Sequence, residues 1–149
     1  MDRSFLEKNA EELERLRKIA HGLTEEELNL PLYKSWTISV ALAHLAFWDQ
    51  RSLVLMQKWK KSGITPSPID IDTINDSLLP LFLAIPSKAS ANLAISCAES
   101  IDRELEETSE EFILKLEALK DNHRLNRYIH RKIHLDDIQA VLESSKSSK

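Results

Sequence analysis

Hydrophobic side chains recur along most of the chain at the spacing of an α-helix. From Ser4 to Gly22 they follow one another at intervals of three to four residues, with Glu, Lys and Arg between them. This pattern predicts an amphipathic helix. Ser4 and Glu7 form a capping-box pattern at its start, and Gly22 suits a left-handed cap at its end. Thr24 and Glu27 repeat the capping pattern and predict one or two further turns of helix.

Two longer helical regions follow. The second long helix is predicted from about Thr37 to Lys61, and its apolar composition indicates that it packs on more than one neighbour. A third region, from about 73 to 107, contains Pro80 and Pro86. Proline lacks a backbone N–H and clashes with the preceding turn. Both prolines are therefore predicted to interrupt this region, with the main break near Pro86.

The last long helix is predicted from about His123 to Glu143, after a short helix that starts near Ser109. Runs of β-branched residues with alternating polarity are missing, so no strand is predicted. Four long helices with short connectors indicate an all-α fold, a four-helix bundle, with a long crossover after the second helix at 64–68. We expect one domain over residues 1–143 and a polar, disordered tail at 144–149.

Composition and charge exclude several classes of function. The formal net charge is −4 with the signs interspersed, and without a basic stripe we expect no nucleic-acid binding. No apolar run approaches the ~20 residues that a membrane span needs. Cys97 is the only cysteine, and residues 1–4 do not begin a signal peptide. Both features favour the cytoplasm. Exposed helix faces make a homodimer a reasonable expectation.

The histidines carry the candidate chemistry. His130 and His134 lie four apart on the last predicted helix, so they share one face and can present nitrogen atoms to a common point. Two ligands hold a metal weakly, and a third must come from another helix. His44 is the candidate, because its apolar neighbours on the second helix indicate that it faces the interior. There its polar atoms need a partner.

Other interpretations of these residues remain open. His44 can equally be a core histidine bonded to a backbone carbonyl, and a pair spaced by four residues is a weak motif on its own. Residues that helical spacing places near the pair can line a site or serve as ordinary core and surface. Asp49 lies well round the helix from His44 and is a poor candidate ligand. The candidate lining residues are Trp48, His123, Asn126 and Asp137.

Two segments carry a family resemblance. Residues 36–49, which read WTISVALAHLAFWD, resemble the second-helix signature of the DinB-like superfamily. That superfamily includes the N-terminal domain of mycothiol-dependent maleylpyruvate isomerase. Residues 126–138, NRYIHRKIHLDDI, resemble its last-helix pattern, in which Asn and Tyr precede a His-x-x-x-His-Leu run.

The resemblance implies a bundle with a crossed-over second pair of helices and a divalent metal, nickel or zinc, on His44, His130 and His134. It also implies a thiol-dependent transferase or isomerase, or a hydrolase, acting on a small-molecule substrate. Three neutral imidazoles would leave an open coordination position for water or for a low-molecular-weight thiol. No residue stands out as the general base. A non-enzymatic bundle that binds a small molecule or a protein partner is the alternative.

Overall fold

The computed structural model describes residues 2–121 and 123–147. Over these residues the chain forms seven helices and one small hairpin. The elements in chain order are α1 (Ser4–His21), α2 (Glu25–Leu28), β1 (Pro31–Tyr33), β2 (Trp36–Thr37), α3 (Ile38–Ser62), α4 (Ile71–Leu83), α5 (Ser87–Glu106), α6 (Glu110–Glu117) and α7 (Tyr128–Ser147).

The four long helices, α1, α3, α5 and α7, form the predicted all-α bundle. In the main core Ala41 of α3 clusters with Ala91 of α5. At the other ends of these helices, Nζ of Lys60 lies 2.8 Å from a carboxylate oxygen of Glu104. The two helices therefore run parallel, and the chain must cross the bundle between them. The linker after α3, together with α4, makes this crossover, as the sequence predicted.

Several predicted helix ends are confirmed. Thr24 caps α2 in a complete capping box with Glu27. Gly63 follows α3 with φ +90°, a conformation that a side chain at this position would disfavour. α5 begins directly after Pro86, which has no N–H to give to a helix.

Other predicted ends are wrong. Ser4 is the first residue of α1 and not its cap, because its N–H bonds to the Asp2 carboxylate. α1 does end with Gly22 as its C-cap, but this residue has an ordinary right-handed conformation and not the predicted left-handed one. Pro80 lies inside α4, in its last turns, where the missing N–H costs one hydrogen bond without ending the helix.

The C-terminal region also differs from the prediction. α7 begins at Tyr128, and residues 123–127 form turns before it. The helix continues to Ser147, where the Ser147 hydroxyl donates to the Glu143 carbonyl one turn back. Residues 144–147 are therefore helical and not part of a disordered tail, while residues 148–149 lie outside the described residues. Among the described residues, no helix is long and apolar enough to cross a membrane.

The hairpin of β1 and β2 was not predicted. The strands are three and two residues long and pair antiparallel. Such short strands carry no alternation that a sequence pattern could reveal. The hairpin matters because it brings Tyr33 and Trp36 against the end of the bundle where the histidines lie.

Candidate metal centre

Two neighbouring helices bring the three histidines together. His44 lies on α3, which has an almost wholly buried first half, and is itself 5% exposed. His130 and His134 lie one turn apart on α7. One nitrogen atom from each ring lies within 4.8 Å of those of the other two. The Nε2 atoms of His44 and His130 are 2.8 Å apart.

Burial keeps these imidazoles neutral. Loss of hydration lowers the pKa of His44 to about 3, and His134 contributes further to the shift. The same desolvation, followed by the neighbouring His134 and His44, lowers the pKa of His130 to about 2. The pKa of His134 is also lowered by burial, although Asp137 opposes the shift. At neutral pH each ring therefore has a nitrogen lone pair available.

Tyr33 fixes the tautomer of His134. Its hydroxyl donates its hydrogen in a short bond to the Asp137 carboxylate. The hydroxyl oxygen lies 3.2 Å from Nδ1 of His134 and, having used its hydrogen, must accept from that nitrogen. Because Nδ1 then carries the proton, Nε2 is left as the ligand atom. A hydrogen bond from the distal nitrogen to an oxygen partner is the usual support for a metal-binding histidine.

Trp36 supports the same two rings from the hairpin. Its ring centroid is 4.8 Å from that of His44 and 6.0 Å from that of His134. An indole in this position restricts both imidazoles and removes water from one side of the cluster. Sequence analysis missed Tyr33 and Trp36 as site residues, since their role depends on the hairpin that carries them.

A buried ionic network holds α7 in place behind the histidines. Arg131 is fully buried, and its two terminal nitrogens lie 2.9 and 2.7 Å from the two carboxylate oxygens of Asp102 on α5. Asp49 on α3 is also buried and accepts from Arg127 at 2.9 Å and from Arg131 at 3.4 Å. In addition, Arg131 donates to the Asn9 carbonyl on α1. These contacts fix the rotation of α7, and with it the direction in which its histidines point.

The residues present fit a divalent metal. In the alternative interpretation His44 is a core histidine bonded to a backbone carbonyl. In the described part of the chain, however, its Nε2 faces His130 and its buried Nδ1 has no hydrogen-bond partner. Neither ring nitrogen therefore bonds to a backbone carbonyl of the described residues, as the core interpretation requires. Two nitrogens bound to one tetrahedral metal lie about 3.3 Å apart, which requires only a small separation of His44 and His130.

A family comparison covers most of the fold and the whole cluster. The family model described as DinB superfamily matches residues 9–143. The chain belongs to the DinB superfamily. No curated protein and no solved structure matches the chain. The DinB match includes all three histidines, so the resemblance that two short segments carried extends over the bundle.

The other predicted site residues of this DinB domain lie at different distances from the cluster. Trp48 and the exposed His123 line a cavity beside His44 and His130. Asn126 lines a separate cavity near Phe5 and Leu125. Asp137 accepts the hydrogen bond from Tyr33 and interacts electrostatically with His134.

The cavity beside the DinB histidines has a volume of about 330 Å³ and is open to solvent on one side. This is near the lower end of the range for small-molecule sites. It is lined by His44 and His130 together with residues of α3, α4 and the turns before α7. A small molecule in the cavity would therefore meet two of the three histidines directly.

Proposed function

We propose that this DinB-superfamily protein is a metal-dependent enzyme in which His44, His130 and His134 hold one divalent ion. The observation that carries the proposal is the convergence of three neutral imidazoles, two of which line an open cavity. Three protein ligands with a free position are typical of catalytic metal sites, whereas structural sites use four. Nickel and zinc both suit an all-imidazole set.

The ion, when bound, would supply a positive charge that lowers the pKa of water or of a thiol at its free position. The protein's own residues do the rest. Trp36 covers one side of the ligands, and Tyr33 keeps Nε2 of His134 unprotonated. Arg131, fixed by Asp102, holds α7 against its neighbours.

A thiol is the nucleophile that the cavity favours. Activation of water commonly requires a nearby base to accept its proton. Among the described residues that line the cavity, the possible bases outside the histidine cluster are Asp121, which lies 3.0 Å from Nε of Arg124, and the exposed His123. A low-molecular-weight thiol needs no such base, because positive charge nearby stabilises its thiolate directly. We therefore propose a thiol-dependent transferase or isomerase acting on a small electrophile, in preference to a hydrolase.

Metal analysis is the first test. The protein as isolated, and after equilibration with nickel or zinc, is expected to hold one ion per chain. His44→Ala and His130→Ala should each lose it, because removal of one of three ligands greatly weakens a metal site. His21→Ala is the matched control, since His21 is exposed at the end of α1. A protein that binds neither metal, or variants that bind as well as wild type, would refute the site.

Turnover separates an enzyme from a binding protein. The metal-loaded protein is assayed with a panel of low-molecular-weight thiols and electrophiles, and the assay is repeated after chelation. Metal-dependent consumption of thiol supports the proposed enzyme. A stable metal site without turnover across the panel would favour the alternative, a non-enzymatic bundle that binds a small molecule.

A further inference from the structure

Two of the three arginine side chains that line the cavity, Arg51 and Arg124, are only partly buried. Arg51 comes from α3, two turns after His44, and Arg124 comes from the turns that precede α7. Each also lies near an aromatic ring, Arg51 at 6.0 Å from the Trp48 centroid and Arg124 at 4.9 Å from the Trp59 centroid. Cation–π contacts of this kind orient the guanidinium groups.

The charges of this pair are not balanced by nearby carboxylates. Arg51 donates to the Ser67 hydroxyl at 2.7 Å and forms no ion pair among the described residues. Arg124 has Asp121 beside it, with Nε 3.0 Å from a carboxylate oxygen, but this nitrogen lacks the alignment of a hydrogen bond. Two positive groups and one negative group leave a surplus of one positive charge.

A third arginine in the wall, Arg127, does not add to this surplus. It is buried and donates to Asp49, which belongs to the neutral network with Arg131 and Asp102. The repulsion that remains is between the other two. Burial, and after it the charge of Arg124, lowers the pKa of Arg51. An anion placed between the two guanidinium groups would relieve this repulsion.

The remaining wall is apolar. Ile69 and Ile71 are 36% and 56% exposed at the mouth of the cavity. The Trp48 ring is held by a hydrogen bond from its Nε1 to the Asn75 side chain at 3.1 Å. Exposed isoleucines beside a fixed indole provide a surface that an apolar ligand could cover.

We propose that the cavity binds a small organic anion, with its acidic group on Arg51 and Arg124 and its apolar part against Trp48, Ile69 and Ile71. This inference rests on the proposed function, because it names the class of molecule that would reach the metal centre. The anionic group could belong to the thiol or to the second substrate. The chemistry of recognition is the same for both: two guanidinium groups facing a carboxylate.

Binding to the metal-free protein tests the cavity on its own. Calorimetric titration compares hexanoate with hexanol, which shares the apolar chain and lacks the charge. We expect hexanoate to bind about 10-fold more tightly or better, since hydrogen bonds from a guanidinium group to a carboxylate are charge-assisted and stronger than neutral ones. Equal binding of the two probes, or no binding of hexanoate, would overturn the inference. This comparison needs no variant and so does not depend on how a substitution folds.

Two substitutions locate the effect. Arg51→Met keeps the apolar stem and removes the charge, and it should abolish most of the preference for hexanoate. Lys58→Met removes the same charge from an exposed position seven residues further along α3, outside this cavity. It should leave the preference unchanged. If both variants lost it equally, the attraction would come from overall charge and not from the cavity.

The cobalt-loaded protein then links the cavity to the metal. Mercaptohexanoate and mercaptohexanol are titrated while the thiolate-to-cobalt absorption band is followed. The expected result is a band with both thiols and tighter binding of the acid in wild type but not in Arg51→Met. If neither thiol gives a band while hexanoate still binds the metal-free protein, the proposed function fails and the anion site stands. If both thiols bind equally, the anion site fails and the metal function stands.

Titration with a mixture of hexanoate and mercaptohexanol shows whether the acidic group belongs to the thiol or to the second substrate. Simultaneous binding, in which hexanoate leaves the cobalt–thiolate band unchanged, would assign the acidic group to a second substrate. Mutual displacement would assign it to the thiol itself. Both results support the proposed class of ligand.

Discussion

Removal of the Asp102 carboxylate is expected to destabilise the protein more than any surface substitution. In wild type, Arg127 and Arg131 face Asp49 and Asp102, so the buried network is neutral. Asp102→Ala leaves two arginines on one aspartate. The Arg131 side chain cannot reach solvent, because it is fully buried where α7 packs against α1 and α5.

The cost follows from these contacts. Asp102 accepts both terminal nitrogens of Arg131, at 2.7 and 2.9 Å, in a bidentate pair. Breaking a buried pair by removing one partner costs about 3–5 kcal/mol. Since small domains have unfolding free energies of about 5–15 kcal/mol, Asp102→Ala should remove about a fifth of the stability or more.

Denaturant unfolding of the metal-free protein, followed by circular dichroism and tryptophan fluorescence, measures the effect. The surface control is Lys132→Ala, one residue after Arg131 on α7. Nζ of Lys132 lies 2.9 Å from a carboxylate oxygen of Asp136, and the two side chains are 57% and 47% exposed. Exposed pairs of this kind contribute about 0.3–0.5 kcal/mol.

A double variant tests the reasoning itself. Asp102→Leu with Arg131→Met removes both charges and leaves Asp49 paired with Arg127, so the interior is again neutral. We expect it to be more stable than Asp102→Ala, because the penalty of the single variant comes mainly from an unpaired buried charge. A loss below about 1 kcal/mol for Asp102→Ala, or a double variant that is less stable than the single, would refute this account.

Three further predictions concern the histidine cluster. The stability of the metal-free protein should fall as the pH drops from 6.5, the ordinary pKa of histidine, towards about 3. Over this range His44 and His130 bind protons in the unfolded chain, whereas in the folded chain they stay neutral. In denaturant titrations at several pH values, the unfolding free energy of the His44→Gln, His130→Gln double variant should depend less steeply on pH than that of wild type, by up to about 1.4 kcal/mol per pH unit for each histidine. An unchanged slope would contradict the view that these two histidines are buried in the neutral form. Tyr33→Phe should weaken metal binding about 10- to 100-fold in a chelator competition, because His134 loses its oxygen partner, whereas Tyr128→Phe should not. Nickel or zinc at 100 times its dissociation constant should raise the free energy of unfolding by about 2.7 kcal/mol, and no shift would argue against a site specific to the folded state.

Helical periodicity predicted the bundle and the shared face of His130 and His134, whereas the joining of His44 to them stayed open until the family resemblance implied it. His130 and His134 share a face because they lie four apart, and the apolar run around His44 indicated an inward position. The crossover followed from a linker that contains two prolines and cannot be helical. A homodimer and a cytoplasmic location stay predictions.

Features that depend on long-range partners could not be predicted in this way. The angular argument removed Asp49 from the candidate ligands, and Asp49 lies outside the histidine cluster among the described residues. Its actual partners, Arg127 and Arg131, are 78 and 82 residues away in the chain. No local pattern identifies such a pairing. Tyr33 was missed for the same reason, because its hydrogen-bond partners are more than 100 residues distant.

The arrangement of α3 and α7 has a consequence for how the protein folds. Nε2 of His44 meets a nitrogen that lies 86 residues later in the chain, and contacts of such separation form slowly because a large loop must close first. Local helices can form early in synthesis, yet the cluster cannot exist until α7 has docked. The centre should therefore appear together with the complete bundle, and a partly folded intermediate that lacks docked α7 should have none of its metal affinity.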